Sequence, residues 1–264
     1  MRGHGVALRC SDEFSMGQAA QPRLDQCLGQ GINHAIVDLV TALEAIHSVS
    51  FVIYRPAPGL NQRLDQREDP SIAIRRKAQD LNENYGVPFW DAVLSVAMKE
   101  GSIPETYVDL AILHDKAPEE RTVEYRRDEL TYSTIDNLLK IASPNEAVAL
   151  SSKVQLRNGG NAHIPMMDFR CHYSEGNSKV IVRALHALGE ESGLLVESGR
   201  SYHFYGLRLM SNEQWVRFMA LGALFSPIVD VRYIAHRLAD GACRLRIGPG
   251  PGKTFMPVVR EVMG

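Results

Sequence analysis

Three polar side chains interrupt apolar, strand-like segments in the second half of the chain, and they constrain its fold more than any other feature. Asp168 and Asp230 each follow a run of apolar residues, and His203 lies among aromatic residues. Burying a polar group without a hydrogen-bonding partner costs roughly 2–7 kcal/mol. The stretch from Ala162 to Arg246, which contains all three, therefore needs an explanation beyond the packing of a core.

Composition excludes several classes of protein. The chain has 264 residues, 45% hydrophobic and 23% charged, and a formal net charge of -2, which gives no support to bulk electrostatic binding of nucleic acid. No apolar run approaches the roughly 20 residues that span a bilayer, so no membrane partner is expected. The four cysteines are far apart and form no CxxC pair, which favours reduced thiols in a cytoplasmic protein; they are Cys10, Cys27, Cys171 and Cys243.

The order of the predicted elements indicates an α+β protein. Residues 1–30 are predicted to be a poorly ordered lead-in, residues 31–145 a mainly helical N-terminal region, and residues 146–264 a core of the catalytic type. Periodicity and capping signals predict helices over 32–46, 71–83, 89–99, 131–141, 178–189 and 211–224. Strands are predicted over 50–54, 147–154, 162–169, 193–198, 202–205, 229–234 and 243–247, and a solvated charged segment over 118–128. In the second half, hairpins alternate with helices, which predicts a sheet with helices packed on one face.

The three polar groups converge on one surface if their strands lie in one sheet. Side chains two residues apart on a strand share a face, so Asp168 and Arg170 are expected to point the same way. Two carboxylates, Asp168 and Asp230, could hold a hard divalent cation such as Mg²⁺ or Mn²⁺. A histidine and an arginine beside such a cation, here His203 and Arg170, suit the phosphate oxygens of a nucleotide.

The same residues carry a resemblance to a known family. An apolar strand ends in Asp168, Ser201-Tyr202-His203 follows, and Val229-Asp230 comes last. This order resembles the three motifs of the archaeo-eukaryotic primase superfamily, and the spacing is similar to that of compact plasmid-type primase-polymerases. The resemblance covers about residues 146–250. It implies a primase-type catalytic core, with an RRM-like sheet and helices packed on one face, preceded by the mainly helical N-terminal region.

The resemblance also implies an activity and roles for single residues. Asp168 and Asp230 would be metal ligands for Mg²⁺ or Mn²⁺, and His203, supported by Ser201, would bind the triphosphate of an incoming nucleotide. The implied reaction is nucleotidyl transfer on a DNA or RNA template, in replication or repair, with Asp168, His203 and Asp230 as the catalytic residues. The residues expected to bind the nucleotide are Ser201, His203, Arg170, Arg232 and Arg246.

The sequence departs from the family's first motif at one position. That motif has two acids one residue apart, and the second is replaced by Arg170. A guanidinium cannot ligate a cation. Three outcomes stay open: Asp168 and Asp230 hold one metal, Arg170 pairs with Asp168 and replaces the metal, or Arg170 turns away and Glu197 supplies an oxygen.

Three functional hypotheses follow from this departure. The first is a metal-dependent primase-type nucleotidyltransferase, and the second is a non-catalytic primase-like module in which Arg170 contacts phosphate. The third is a structural protein whose polar triplet is a remnant of the fold. A phosphate-loop interpretation of residues 248–254 is rejected, because Ile247 stands where the motif needs glycine and two prolines remove backbone N–H groups.

Overall fold

A computed structural model describes residues 24–56, 72–87, 89–101 and 120–264. Most of the predicted lead-in over 1–30, including Cys10, lies outside the described residues. The described residues fall into two compact units, one made of 24–55 together with 120–264 and the other made of those between 56 and 101. The predicted boundary at 145/146 falls inside the first unit. No helix in the described part of the chain is long and apolar enough to cross a membrane.

The first sheet of the larger unit has five antiparallel strands. Strand β1 (Ile46–Tyr54) pairs with β2 (Arg121–Arg126) on one side and with β3 (Ala147–Leu156) on the other. On the side away from β1, strand β3 pairs with both β4 (Asn161–His163) and β8 (Arg244–Arg246). The chain before residue 146 therefore supplies two strands to the sheet that contains β3.

The second sheet has four antiparallel strands in the order β5-β7-β6-β9, and it carries the site described below. Their ranges are β5 (Met166–Asp168), β6 (Gly193–Glu197), β7 (Tyr202–Gly206) and β9 (Val258–Met263). Helix α5 (Glu175–Ala187) connects β5 to β6, and β7 inserts between them, which is a split βαβ arrangement. All five residues of β7 are buried, which explains why its first four residues are all aromatic rather than alternating with polar ones.

Four further helices belong to the larger unit: α1 (Ile32–Ala42), α4 (Tyr132–Ile141), α6 (Asn212–Gly222) and α7 (Val231–Asp240). Local capping explains where they begin. Thr131 caps α4, and Ser211 and Gln214 form the predicted capping box of α6. Helix α5 is capped by Ser174 rather than by the predicted Ser178. Short 3₁₀ turns lie at Asp25–Cys27 and Ala223–Phe225.

The smaller unit contains two described helices, α2 (Ile72–Tyr85) and α3 (Phe89–Glu100), and both match helices predicted from periodicity. They bury a small apolar cluster of their own, made of Ile74, Ala78, Ala92, Val93, Val96 and Ala97. Their sequence lies between β1 and β2, two strands that pair directly. The unit is thus an insertion in the connection between neighbouring strands.

The α+β class is confirmed: the described residues form seven α-helices and two antiparallel sheets. Three local predictions were wrong. The strand predicted over 162–169 is broken at Pro165 into β4 and β5, which lie in different sheets. Within the charged segment 118–128 lies β2, an edge strand whose Val123 and Tyr125 are less exposed than its charged residues.

The third wrong prediction is the strand over 229–234, where helix α7 begins instead. Asp230 is its N-cap, and Gly241, with φ +71°, ends it. The capping Asp230 and the terminating Gly241 are both visible in the sequence. The apolar pair Ile228-Val229 before Asp230 nevertheless favours a strand, which is why the prediction was wrong. Among the residues that the structure describes, Cys27, Cys171 and Cys243 form no disulfide with one another.

Candidate functional site

Asp168 and His203 lie side by side on neighbouring strands of the second sheet. Asp168 ends β5 and is the direct register partner of His203 on β7, so both side chains lie on the same face. His203 Nε2 lies 3.6 Å from Asp168 Oδ1. His203 is buried, whereas Asp168 is one-third exposed. The histidine therefore forms the floor of the site and the aspartate its accessible edge.

Asp230 reaches the same place from a helix rather than from a strand. Val229 forms a bridge with Phe169, and the Arg170 N–H donates to the Ile228 carbonyl at 2.8 Å. These contacts fix the start of α7 beside the end of β5. Asp230 Oδ1 accepts hydrogen bonds from the backbone N–H groups of Arg232, at 2.9 Å, and Tyr233, at 3.3 Å. One carboxylate oxygen is thus used to cap the helix.

Arg170 occupies the space next to the other oxygen of Asp230. Its Nε lies 3.5 Å from Asp230 Oδ2, and about a third of each side chain is exposed. The guanidinium charge also acts on Asp168, where it opposes the rise in pKa that burial causes. Arg170 therefore pairs with Asp230 rather than with Asp168, and it places a positive charge beside both carboxylates.

The environment favours the neutral forms of both the buried His203 and the one-third exposed Asp168. Burial raises the pKa of the Asp168 carboxyl to about 7, although the charges of Lys253, Arg170 and Arg246 oppose the rise. Burial, together with smaller effects of the charges of Arg246 and Lys253, lowers the pKa of His203 to about 3. His203 is consequently neutral at pH 7, and its Nδ1 has no hydrogen-bonding partner among the described residues.

Lys253 is a residue of the site that sequence reasoning missed. After desolvation, its charge has the largest influence on the pKa of Asp168, and it also acts on His203. Lys253 closes a tight turn with Gly250, in which each backbone N–H donates to the other carbonyl at 2.9 Å. Gly252 adopts φ +67° there. The Gly-Pro-Gly-Lys sequence of this turn is the signal in the sequence that points to Lys253, even though the segment is not a phosphate loop.

Arg246 holds the site together through the backbone. Its guanidinium donates to three carbonyl groups, those of Ser198 at 2.7 Å, Phe255 at 2.9 Å and Gly248. It is buried, and it ties the turn between β6 and β7 to the segment that carries Lys253. The predicted contact of Arg246 with a nucleotide would compete with these hydrogen bonds. Its charge nevertheless acts on Asp168 and His203.

Two other predicted nucleotide contacts lie at the margins. Ser201 belongs to the turn between β6 and β7, where its hydroxyl lies 3.2 Å from the hydroxyl of Ser198. Arg232 is in the first turn of α7, two residues after the capping Asp230. The roles predicted for Ser201 and Arg232 stay predictions.

Glu197 does not supply the missing carboxylate oxygen. On β6 it pairs with Tyr202, whereas its neighbour Val196 pairs with His203, so Glu197 lies on the opposite face of the sheet. Its Oε2 accepts from Arg260 Nε at 2.7 Å and lies 2.6 Å from Arg260 Nη2. Of the three outcomes that the sequence leaves open, the one in which Glu197 supplies an oxygen is therefore wrong.

The residues present do not fit a centre of two divalent cations. The part of the chain that the structure describes contains no group of three or more His, Cys, Asp or Glu side chains that could hold a metal ion. Of the two carboxylates, Asp230 has one oxygen on the helix cap and the other beside Arg170. A cation there would meet the guanidinium charge at close range.

Comparison with known proteins identifies the region that contains these residues. A family model described as AEP-like, archaeo-eukaryotic primase 1D-like, matches residues 126–254. The match spans the elements from the end of β2 to the turn that carries Lys253. No curated protein and no solved structure matches the chain.

Proposed function

Because residues 126–254 belong to the archaeo-eukaryotic primase superfamily, we propose that their site binds the phosphate groups of a nucleotide without catalysing nucleotidyl transfer. The observation that carries this proposal is the position of Arg170, 3.5 Å from Asp230 Oδ2. An arginine stands where the family's motif has a metal-binding acid. The chain would then act as a primase-like module that recognises nucleotides and nucleic acid.

The charges around the site support phosphate as the ligand. Arg170 and Lys253 are accessible cations, and Arg246 adds a buried positive charge behind them. A guanidinium forms bidentate, charge-assisted hydrogen bonds with phosphate, and an ammonium serves as a point charge. The neutral His203 adds a ring nitrogen that can donate a hydrogen bond to a phosphate oxygen. Together these groups match a polyanion better than a cation.

A second candidate function is metal-dependent nucleotidyl transfer, which the convergence of Asp168, His203 and Asp230 favours. Primases of this superfamily generally use divalent metals, and Mg²⁺ or Mn²⁺ between Asp168 and Asp230 would supply the electrophile for that chemistry. This donor set does not fit two such ions. A role in copying a DNA or RNA template, and a cytoplasmic location, are proposals at the same level.

The test measures nucleotide binding and catalysis separately. Calorimetric titration with a nucleoside triphosphate in the presence of EDTA is expected to show binding by the unaltered protein. Arg170→Ala is expected to weaken this binding at least tenfold, since one charge-assisted contact is worth about 1.5–3 kcal/mol. Arg183→Ala, which removes an exposed arginine from α5, is the matched control and should bind normally.

Primer synthesis and extension are then assayed with Mg²⁺ and with Mn²⁺. No incorporation with either metal, together with nucleotide binding in EDTA, is the expected result. Incorporation that disappears in Asp168→Asn would instead establish the second candidate. Absence of nucleotide binding under all conditions would contradict both functions.

A further inference from the structure

Arg170 lies in the segment that joins β5 to α5, and a single residue of β7 contacts the chain on both sides of it. The backbone carbonyl of Tyr202 accepts a hydrogen bond from the Phe169 N–H at 2.9 Å. The hydroxyl of Tyr202 donates to the Ser174 carbonyl at 2.6 Å and accepts from the Ser174 N–H at 2.9 Å. The segment 170–173 is therefore held at both ends by one tyrosine.

The side chain of Tyr202 lies on the face of the sheet opposite the candidate site. It is next to His203 along β7, so the two side chains point to opposite faces, and it is fully buried. Ser174, which its hydroxyl contacts twice, is the N-cap of α5. The residue between Ser201 and His203 thus fixes the point at which the segment after Arg170 enters its helix.

A second set of contacts fixes the segment just before the helix. The ring of Tyr173 has its centroid 5.5 Å from that of Tyr202, and Arg260 Cζ lies 5.3 Å from the Tyr173 centroid, a cation–π geometry. Glu197 holds this guanidinium, with its Oε2 2.7 Å from Nε and 2.6 Å from Nη2 of Arg260. We name Tyr202, Tyr173 and Arg260 the loop anchor.

The position of the Arg170 guanidinium depends on this backbone. Its ion pair with Asp230 is 3.5 Å long and about a third exposed on both sides, and a pair of this kind holds a side chain weakly. The Arg170 N–H donates to the Ile228 carbonyl at 2.8 Å, which fixes the backbone before the side chain but not after it. A long side chain on a backbone that is free to move samples many rotamers, and ordering it again costs entropy.

We propose that the loop anchor positions Arg170 for its contact with the phosphate groups of the ligand. Tyr202, Tyr173 and Arg260 act through the backbone from the other face of the sheet and are positioning residues. A displaced guanidinium retains its charge but loses the bidentate geometry that phosphate recognition needs. This inference rests on the proposed function, and it gives the middle residue of the Ser201-Tyr202-His203 motif a role of its own.

A double-mutant cycle tests the coupling between the loop anchor and Arg170. Tyr202→Phe removes only the anchoring hydroxyl and is expected to weaken the binding of a nucleoside triphosphate in EDTA about fivefold. In the Arg170→Ala background the same change should have no further effect, because the side chain that it positions is gone. Tyr173→Ala should behave like Tyr202→Phe, whereas Tyr173→Phe keeps the ring and should bind normally.

The NMR signal of the Arg170 Nε–H group reports the position of this side chain without any ligand. Its absence from the spectrum of Arg170→Ala assigns it. In Tyr202→Phe the signal is expected to shift or broaden. The matched control is Tyr132→Phe, which removes from α4 a hydroxyl that lies 2.9 Å from Asp38 Oδ1. This control should leave both the Arg170 signal and nucleotide binding unchanged.

The outcomes separate the loop anchor from the proposed function. If the unaltered protein binds the nucleotide and Tyr202→Phe binds it equally well, the anchor proposal is overturned and the proposed function stands. Equal losses of affinity with and without Arg170 show a merely structural effect and also overturn it. If the unaltered protein binds no nucleotide, the proposed function fails, and the Arg170 signal alone decides: a change in Tyr202→Phe supports positioning of the side chain, and an unchanged signal overturns it.

Discussion

Arg170 Nε lies 3.5 Å from Asp230 Oδ2, so a guanidinium and the cap of helix α7 share one carboxylate. In the primase motif an acid stands at the position of Arg170. The first motif then supplies two acids, and the third motif supplies another, here Asp230. Here the charge at that position is reversed. This pair decides which ligand the site favours, because it offers a cation to a phosphate and leaves too few oxygens for two metals.

Arg170→Glu restores the acid of the motif and is the sharpest single change. If Arg170 contacts phosphate, the variant should bind a nucleoside triphosphate more weakly than Arg170→Ala, because an anion now repels the ligand. Calorimetry in EDTA measures this order. Mn²⁺-dependent primer extension appearing in Arg170→Glu but not in the unaltered protein would show that the site is a disabled polymerase instead.

Asp230 has two roles that two substitutions separate. Asp230→Ala removes the helix cap and should lower the free energy of unfolding by about 1 kcal/mol, whereas Asp230→Asn keeps a capping oxygen and should cost less. Both variants remove the negative partner of Arg170. Urea denaturation gives the stabilities. Equal losses in the two variants would show that the cap contributes little.

Arg246 is expected to be a stabilising residue more than a ligand contact. Arg246→Ala leaves three buried or partly buried carbonyls without their donor, and it should reduce the free energy of unfolding by about 2–4 kcal/mol. Arg246→Lys, which retains a charge but not the fork of donors, should cost less. The exposed Arg183→Ala serves as the comparison. A loss of nucleotide binding in a fully stable Arg246→Ala would contradict this assignment.

Lys253 is expected to contribute to the affinity for a triphosphate and not to the stability of the fold. Its side chain is exposed, so Lys253→Ala should leave the urea midpoint unchanged while weakening triphosphate binding several-fold. Lys253→Arg preserves the charge and should retain most of the affinity. Calorimetry at two salt concentrations measures both effects. Unchanged affinity in Lys253→Ala would remove this residue from the site.

His163 makes stability depend on pH. It is buried, its ring stacks on Trp215 with centroids 4.5 Å apart, and burial lowers its pKa from 6.5 to about 4. Between these values the unfolded chain binds more protons than the folded one. Stability from this group is therefore complete above pH 6.5 and is lost as pH falls towards 4, by up to about 3 kcal/mol.

The measurement compares the unaltered protein with His163→Gln by urea unfolding across this pH range. His203 contributes with the same sign and Asp168 with the opposite sign, and both are common to the two proteins. The difference in slope therefore reports His163 alone. Parallel stability curves for the two proteins would contradict the prediction.

Local sequence signals predicted much of the fold. The periodicity of α2 and α3, the capping box of α6 and the strand run of β7 all depend on neighbouring residues, and each was found where it was predicted. Two of the three errors share one cause. Pro165 separates two strands that lie in different sheets, and Asp230 begins a helix after an apolar pair that resembles a strand. Short apolar runs do not distinguish these alternatives.

For the candidate site too, some features follow from the sequence and others only from the tertiary structure. From the sequence alone came the α+β class, the family resemblance, the three motif residues and the reversed charge at Arg170, because these are properties of residue type and order. Only the tertiary structure decided that Arg170 faces Asp230, that Glu197 lies on the opposite face of its sheet, and that the charge of Lys253 acts on Asp168. Those relationships join segments far apart in the chain, and strand register and loop path, which local patterns do not encode, determine them.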